Sequence, residues 1–143
     1  HIVERYQESL PIVQADAELA KVVLQNFMTN AVKYAPEKGE VTVTLQTVAS
    51  GSSVAGKTAS QDSVLAGVHN NGMAITGSDK EKIFGKFFRS ESAKKWDPNG
   101  NGLGLYMTKK MVDVMGGLVW FDSEEGKGTT FYVLLPVDGK KLV

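Results

Sequence analysis

The sequence predicts an α+β layer fold: a mixed, mainly antiparallel sheet with about three helices on one face. Three observations predict it. Residues 17–34 and 103–115 carry apolar side chains at helical spacing. Residues 40–48, 63–69, 118–122 and 129–135 are short runs rich in β-branched and aromatic residues. The order of these elements places strands next to one another in pairs, which suits hairpins better than an all-parallel sheet.

The elements follow in order. Residues 2–14 read as extended or irregular, interrupted by Pro11. Asp16 is a good N-cap for the first helix, with Leu19, Val22, Val23, Phe27 and Ala31 on one broad face. Pro36 and Gly39 end it. Residues 40–48 alternate strictly, with Val41, Val43 and Leu45 on one side. Residues 49–61 are small and polar and read as a flexible loop, and 63–69 as a second strand. From Thr76 to Gly102 the chain is turn-rich and charged, apart from Phe84, Phe87 and Phe88, which are expected to anchor it by burial. In the second helix Leu103, Met107, Met111 and Met115 form a stripe that reads as core. Gly116 and Gly117 end that helix. Two strands then close the chain around the turn Glu124–Gly128.

The chain has 143 residues, the usual size of one domain. Lys plus Arg balance Asp plus Glu at 16 each, which gives no reason to expect nucleic acid or an anionic membrane as partner. The absence of cysteine excludes a disulfide framework and a thiolate metal site. His1 falls straight into ordinary sequence, so a piece of a longer protein is expected.

One stretch suggests a phosphate site and does not hold up. Gly51 to Thr58 reads GSSVAGKT and fits G-x-x-x-x-G-K-[ST]. A working loop of that kind leads into a helix, whose N-terminus serves the phosphates. Residues 59–68 have no long helical face and turn into a strand. The stretch therefore reads as a hairpin tip without a helix dipole.

A second pattern is more promising. Asn26, Asn30 and Lys33 fall on one stripe of the first helix. Asn costs about 0.5–0.7 kcal/mol against Ala inside a helix, so two of them call for a reason. A carboxamide oxygen can ligate a hard cation shared with phosphates, and a lysine one turn on can meet phosphate oxygens. A solvent-facing polar stripe is the alternative.

Residues 25–36 (QNFMTNAVKYAP) resemble the N-box of sensor histidine kinases. Residues 83–89 (IFGKFFR) look like that family's F-box, 100–105 (GNGLGL) like its G2 box, and 126–131 (GKGTTF) like its closing turn. Four motifs in the family's order cover residues from about 10 to 136. The resemblance implies the Bergerat fold, a two-layer α/β sandwich shared with gyrase B and related ATPases. It implies ATP with Mg2+, held between the first helix and a mobile lid at about 76–102.

The carry-over assigns catalysis to Lys33 and Arg89 and the metal to Asn30. Nucleotide contact falls to Asn26, Asn30, Lys33 and Tyr34, to Phe87 and Arg89, and to Thr129. In the G2 box it falls to Gly100, Asn101, Gly102, Leu103, Gly104 and Leu105, whose glycines let backbone amides approach phosphate. The lid is cationic between residues 80 and 95, with Lys80, Lys82, Lys86, Arg89, Lys94 and Lys95 against Glu81 and Glu91. That charge suits a triphosphate.

The family's ATPases carry Glu where Asn26 stands. An amide cannot take a proton from water near neutral pH, so Asn26 favours a kinase over an ATPase. The phospho-acceptor histidine segment is missing: His1 and His69 lack its context. The implied substrate is a separate dimerisation and phospho-acceptor domain, with a response regulator beyond it. The implied location is cytoplasmic, the whole protein being free or anchored in the inner membrane.

The G1 box departs from D-x-G-x-G. Residues 70–75 read NNGMAI, placing Asn70, Gly72, Ala74 and Ile75 in that part of the site. In the family the Asp accepts from the adenine amino group. Asn70 accepts without charge, and it is expected to turn its amide and answer either purine. Ala74 puts a methyl near the base and is strained if its φ is positive. Three readings follow: a kinase with weakened nucleotide binding, a degenerate pseudokinase, or a deliberately altered sequence. The first is favoured. A nucleotide-free module that holds a partner helix is the alternative outside catalysis.

Overall fold

The computed structural model describes residues 1–143. A five-stranded sheet has the order β1 (Ile2–Tyr6), β2 (Val41–Val48), β5 (Ser63–Asn70), β7 (Gly128–Pro136), β6 (Leu118–Glu124). Between β2 and β5 sit two short strands, β3 (Ser53–Val54) and β4 (Lys57–Thr58). The helices are α1 (Ala17–Tyr34), α2 (Glu91–Trp96) and α3 (Gly104–Val114), with a 3₁₀ turn at Gly77–Glu81. Every sheet pairing is antiparallel except β1 with β2, where Ile2 lies opposite Val41 and Tyr6 opposite Leu45. No helix is long and apolar enough to cross a membrane.

Local chemistry explains the helix ends. The Asp16 side chain accepts from the N–H groups of Glu18 and Leu19, both at 3.0 Å, and caps α1. Ala35, before Pro36, is forced extended (φ −71°, ψ 145°) and stops it. The front core lies between α1, α3 and the sheet. Val23, Phe27 and Ala31 of α1 meet Val41, Val43, Ala66, Val68, Phe131 and Val133 of the sheet, with Val112 of α3 and Met115 just after it alongside. Phe27 stacks on Phe131 with ring centres 5.4 Å apart.

The back of the sheet is also covered. Val48, Ala59, Leu65, Trp120, Leu134 and Leu142 form a second core under the β3–β4 hairpin and the C-terminal tail. Trp120 stacks on Tyr132, and its indole N–H donates to the Ala55 carbonyl at 3.0 Å. Because β5 is central and covered on both faces, it reads as a nearly continuous apolar run.

The structure corrects several expectations. The hairpin tip is not loose, since Ala59 is fully buried and Val54 packs on the back core. Residues 2–6 are a true strand. The charged segment contains α2 and the 3₁₀ turn. Met107 is exposed, so only the Met111–Met115 end of the stripe is core. Phe84 packs between Phe121 and Phe131, but Phe87 is 63% exposed and anchors nothing. A left-handed φ of 62° turns its side chain outward.

Lys57 stands exposed in β4, behind the sheet and away from α1, and no helix follows it. Lys57→Ala should therefore leave nucleotide affinity unchanged in a calorimetric titration. A tenfold loss would restore the G-x-x-x-x-G-K-[ST] stretch as a phosphate site.

Candidate functional site

A cavity of about 290 Å³ opens on the helix side of the sheet, near the lower end of small-ligand sites. One wall is the C-terminal half of α1, with Asn26, Asn30, Lys33 and Tyr34. The floor is the end of β5 and the start of β7, with Asn70 and Thr129. The opposite wall comes from Met73, Ala74 and Ile75 after β5, and from Ile83, Phe88, Arg89, Ser90 and Ala93. Gly100, Asn101, Gly102, Gly104 and Leu105 close the remaining side. The apolar side chains gather at the Met73–Ile75 and Ile83–Phe88 end. Asn30, Lys33 and the start of α3 form the polar end.

Three predicted residues do not line the cavity: Gly72, Phe87 and Leu103. Gly72 packs beneath it. A Cβ there would meet the Tyr34 carbonyl oxygen at 2.1 Å, so the turn after β5 can press against the end of α1 only as glycine. Phe87 faces solvent, and Leu103 is the residue before α3. Sequence reading missed Thr29, Met73, Ile83, Phe88, Ser90, Ala93 and Phe131. Thr29, Met73, Ile83, Phe88 and Phe131 lie inside the motif stretches already read, whereas Ser90 and Ala93 lie outside any of them.

The polar groups differ in how free they are. Asn26 donates to Thr108 Oγ1 at 3.1 Å and to the Gly104 carbonyl at 3.4 Å, tying α1 to the start of α3. The Asn30 side chain makes no protein hydrogen bond and faces the cavity. Asn101 Oδ1 accepts from the Leu103 N–H at 3.0 Å, which shapes the turn into α3. No side chain caps α3, so the first amides of that helix stay open to an anion. The Thr129 hydroxyl donates to the Met73 carbonyl at 3.1 Å and pairs with Ser123 Oγ at 2.7 Å. Ser123 in turn accepts from the Ile75 N–H at 2.7 Å. Ala74 stays out of the left-handed region, so the strain considered for it does not arise.

The electrostatics revise the cationic flap. Lys80, Lys82, Lys86, Lys94 and Lys95 do not reach the cavity. Lys80 donates to the Ser123 carbonyl, and Lys94 pairs with Glu91. The two cations that do reach it, Lys33 and Arg89, both meet Asp97, which sequence reading left out of the lid's charge. Lys33 Nζ forms an ion pair with Asp97, and Arg89 Nη2 lies 4.0 Å from the same carboxylate. Arg89 also donates to the carbonyls of Gly100, Ala93 and Asp97. Its guanidinium fills the space a Gly100 side chain would need. The Trp96 indole donates to the Lys33 carbonyl at 2.6 Å. The Lys33 hydrogen bond holds the Asp97 carboxyl below its ordinary value, against the opposing effect of burial.

Residues 15–139 match the model of the histidine kinase-, DNA gyrase B- and HSP90-like ATPase family. Sensor histidine kinase WalK of Bacillus subtilis (strain 168) is 36% identical over 124 residues, 87% of this chain and 19% of that protein. Adaptive-response sensory kinase SasA of Synechocystis sp. is 33% identical over 130 residues, 91% of this chain and 30% of that protein. The chain thus spans less than a third of either relative. Among solved structures, full-length ShkA in complex with AMPPNP superposes with a TM-score of 0.76 at 27% identity, over 96% of this chain and 26% of that one. The catalytic domain of histidine kinase ThkA, nucleotide-free, gives 0.73 at 28%, over 96% of this chain and 80% of that one. The chain belongs to the histidine kinase-, DNA gyrase B- and HSP90-like ATPase family, as an ATP-binding domain of the sensor histidine kinase kind.

Proposed function

We propose that the cavity binds ATP with Mg2+ and directs its γ-phosphoryl group to a histidine on a separate dimerisation and phospho-acceptor domain, from which a response regulator is served. One observation carries the reading. A free carboxamide (Asn30), two cations (Lys33 and Arg89) and an uncapped helix start converge at one end of a cleft whose other end is apolar. The base belongs in the apolar end, with its edge toward residue 70. The triphosphate belongs against α3.

The donor set fits magnesium. No cluster of three acidic or histidine side chains could hold a metal by itself, whereas Asn30 offers one free oxygen and phosphates supply others. The bound ion would neutralise phosphate charge. Lys33 and Arg89 do the same for the migrating group, and positioning supplies most of the rest. Asn26 takes no proton, and its amide nitrogen is committed to α3, so water in the site lacks a base.

Residues 76–102 form the lid in this reading. Asp97 holds Lys33 where phosphate oxygens would sit, and Trp96 pins the same segment to the end of α1. Nucleotide entry replaces one carboxylate by several phosphate oxygens, which frees the lid from α1.

The reading has a direct test. The full-length kinase carrying this domain, given radiolabelled ATP, should acquire base-stable, acid-labile label on its acceptor domain. The 143-residue chain alone should neither label itself nor hydrolyse ATP appreciably. Label on His69, which is bonded to Thr130 within the sheet, would contradict it.

Asn30→Ala should abolish the magnesium dependence of nucleotide binding. An unchanged ratio of affinities with and without magnesium would remove Asn30 from the metal site.

The lid contact has a defined pH response. Asp97 has a lowered pKa when docked, so its contribution is complete above the ordinary carboxylate value of about 4 and is lost as pH falls through the lowered one. Hydrogen exchange at residues 93–100, relative to α1, should stay slow from neutral pH down to that range and quicken below it. Asp97→Asn should quicken it at neutral pH. Identical exchange in the two proteins would show that the ion pair does not hold the lid.

A further inference from the structure

Asn70 ends β5 at the floor of the cleft and is only 5% exposed. Its side-chain oxygen accepts from the Gly72 N–H at 2.9 Å. That contact fixes which way the amide points, because a backbone N–H needs an acceptor and only the oxygen of a carboxamide accepts. The amide nitrogen points the other way and no protein atom accepts from it. It is not sealed off, since no buried polar side-chain atom in the protein lacks a partner. It therefore opens on the cleft that Asn70 lines.

The other polar side chains of the floor are engaged with the protein. The Thr129 hydroxyl is held by the Met73 carbonyl and Ser123, and Ser123 holds the Ile75 N–H. Among the side-chain donors of the floor, the Asn70 amide nitrogen is thus the one without a protein acceptor. Nor can the turn give way easily, because Gly72 is wedged against the Tyr34 carbonyl.

From this geometry we infer that Asn70 selects purine nucleotides carrying a carbonyl at C6 over ATP. The inference rests on the nucleotide reading above, with the purine edge facing residue 70. Asn70 has one oxygen, and two donors compete for it: the Gly72 N–H and the amino group of adenine. If the amide stays, its NH2 faces the adenine amino group. If it flips, its NH2 faces the Gly72 N–H. Either arrangement sets two donors against each other. A C6 carbonyl accepts from Nδ2 and leaves the turn intact. An aspartate would have no such conflict, because its second oxygen serves adenine while the first holds Gly72. The substitution thus reverses base preference, where sequence reading alone expected it to relax.

Calorimetric titration with ATP, ITP and GTP, each with magnesium, tests this. ITP is the cleanest probe, because it lacks the 2-amino group of guanine and differs from ATP at C6 and the adjoining N1 proton. ITP should bind on the order of tenfold more tightly than ATP, and Asn70→Asp should reverse that order. ATP binding as tightly as ITP, or a ratio unmoved by Asn70→Asp, would overturn the inference and leave the proposed function standing. If none of the three binds, the proposed function falls and this inference with it.

Discussion

The seating of α1 on the sheet through Phe27 is the contact on which the rest depends. Phe27 is fully buried and stacked on Phe131, flanked one turn either way by Val23 and Ala31. Successive residues of a helix are about 100° apart, so fixing Phe27 against the sheet fixes Asn26 and Asn30 as well. Each precedes a buried residue and is turned toward the cleft. Packing thereby aims the polar stripe, and Asn30 reaches the cleft without a hydrogen bond to hold it. The end of the same helix receives the turn after β5, where Gly72 lies against the Tyr34 carbonyl. Floor and wall of the cleft are therefore registered to each other by two apolar rings and one missing side chain.

Much of this was legible beforehand, for identifiable reasons. α1, β2, β7 and the body of α3 carry their burial in their periodicity, and Asp16 and Pro36 mark the limits of α1 chemically. β1 was read only as extended or irregular because four of its five residues are exposed: its strand character comes from pairing with β2, which no period records. α2 has six residues, too few to be helical through propensity alone. It is held by the Ser90 cap, by Arg89 and by Trp96. In the site, the residues read on α1 and around the start of α3 do meet in one cleft, apart from Leu103. The apolar wall could not be foreseen, because the sides that Ile83 and Phe88 present depend on the tertiary path of the segment. Phe87 faces outward for the same reason.

The charge distribution shows why composition misleads at short range. Counting lysines between residues 80 and 95 suggests a strongly positive flap. In space most of those lysines look outward, and the cleft receives Lys33 and Arg89, which share the Asp97 carboxylate. Arg89 is the least exposed of the three and is surrounded by carbonyls, as a guanidinium withdrawn from water requires. Its first task is to hold the shape of the segment from Ala93 to Gly100. Any service to phosphate is carried out from that position.

The protein's two tryptophans occupy unequal places. Trp120 is stacked and hydrogen-bonded in the back core, whereas Trp96 is half exposed and joined to the mouth of the cleft by one hydrogen bond to α1. A dissolved quencher reaches the second and not the first. Emission from the unlabelled protein therefore separates into a shielded part from behind the sheet and a quenchable part from the segment beside α1, so the domain carries its own optical report on the Trp96 contact with that helix.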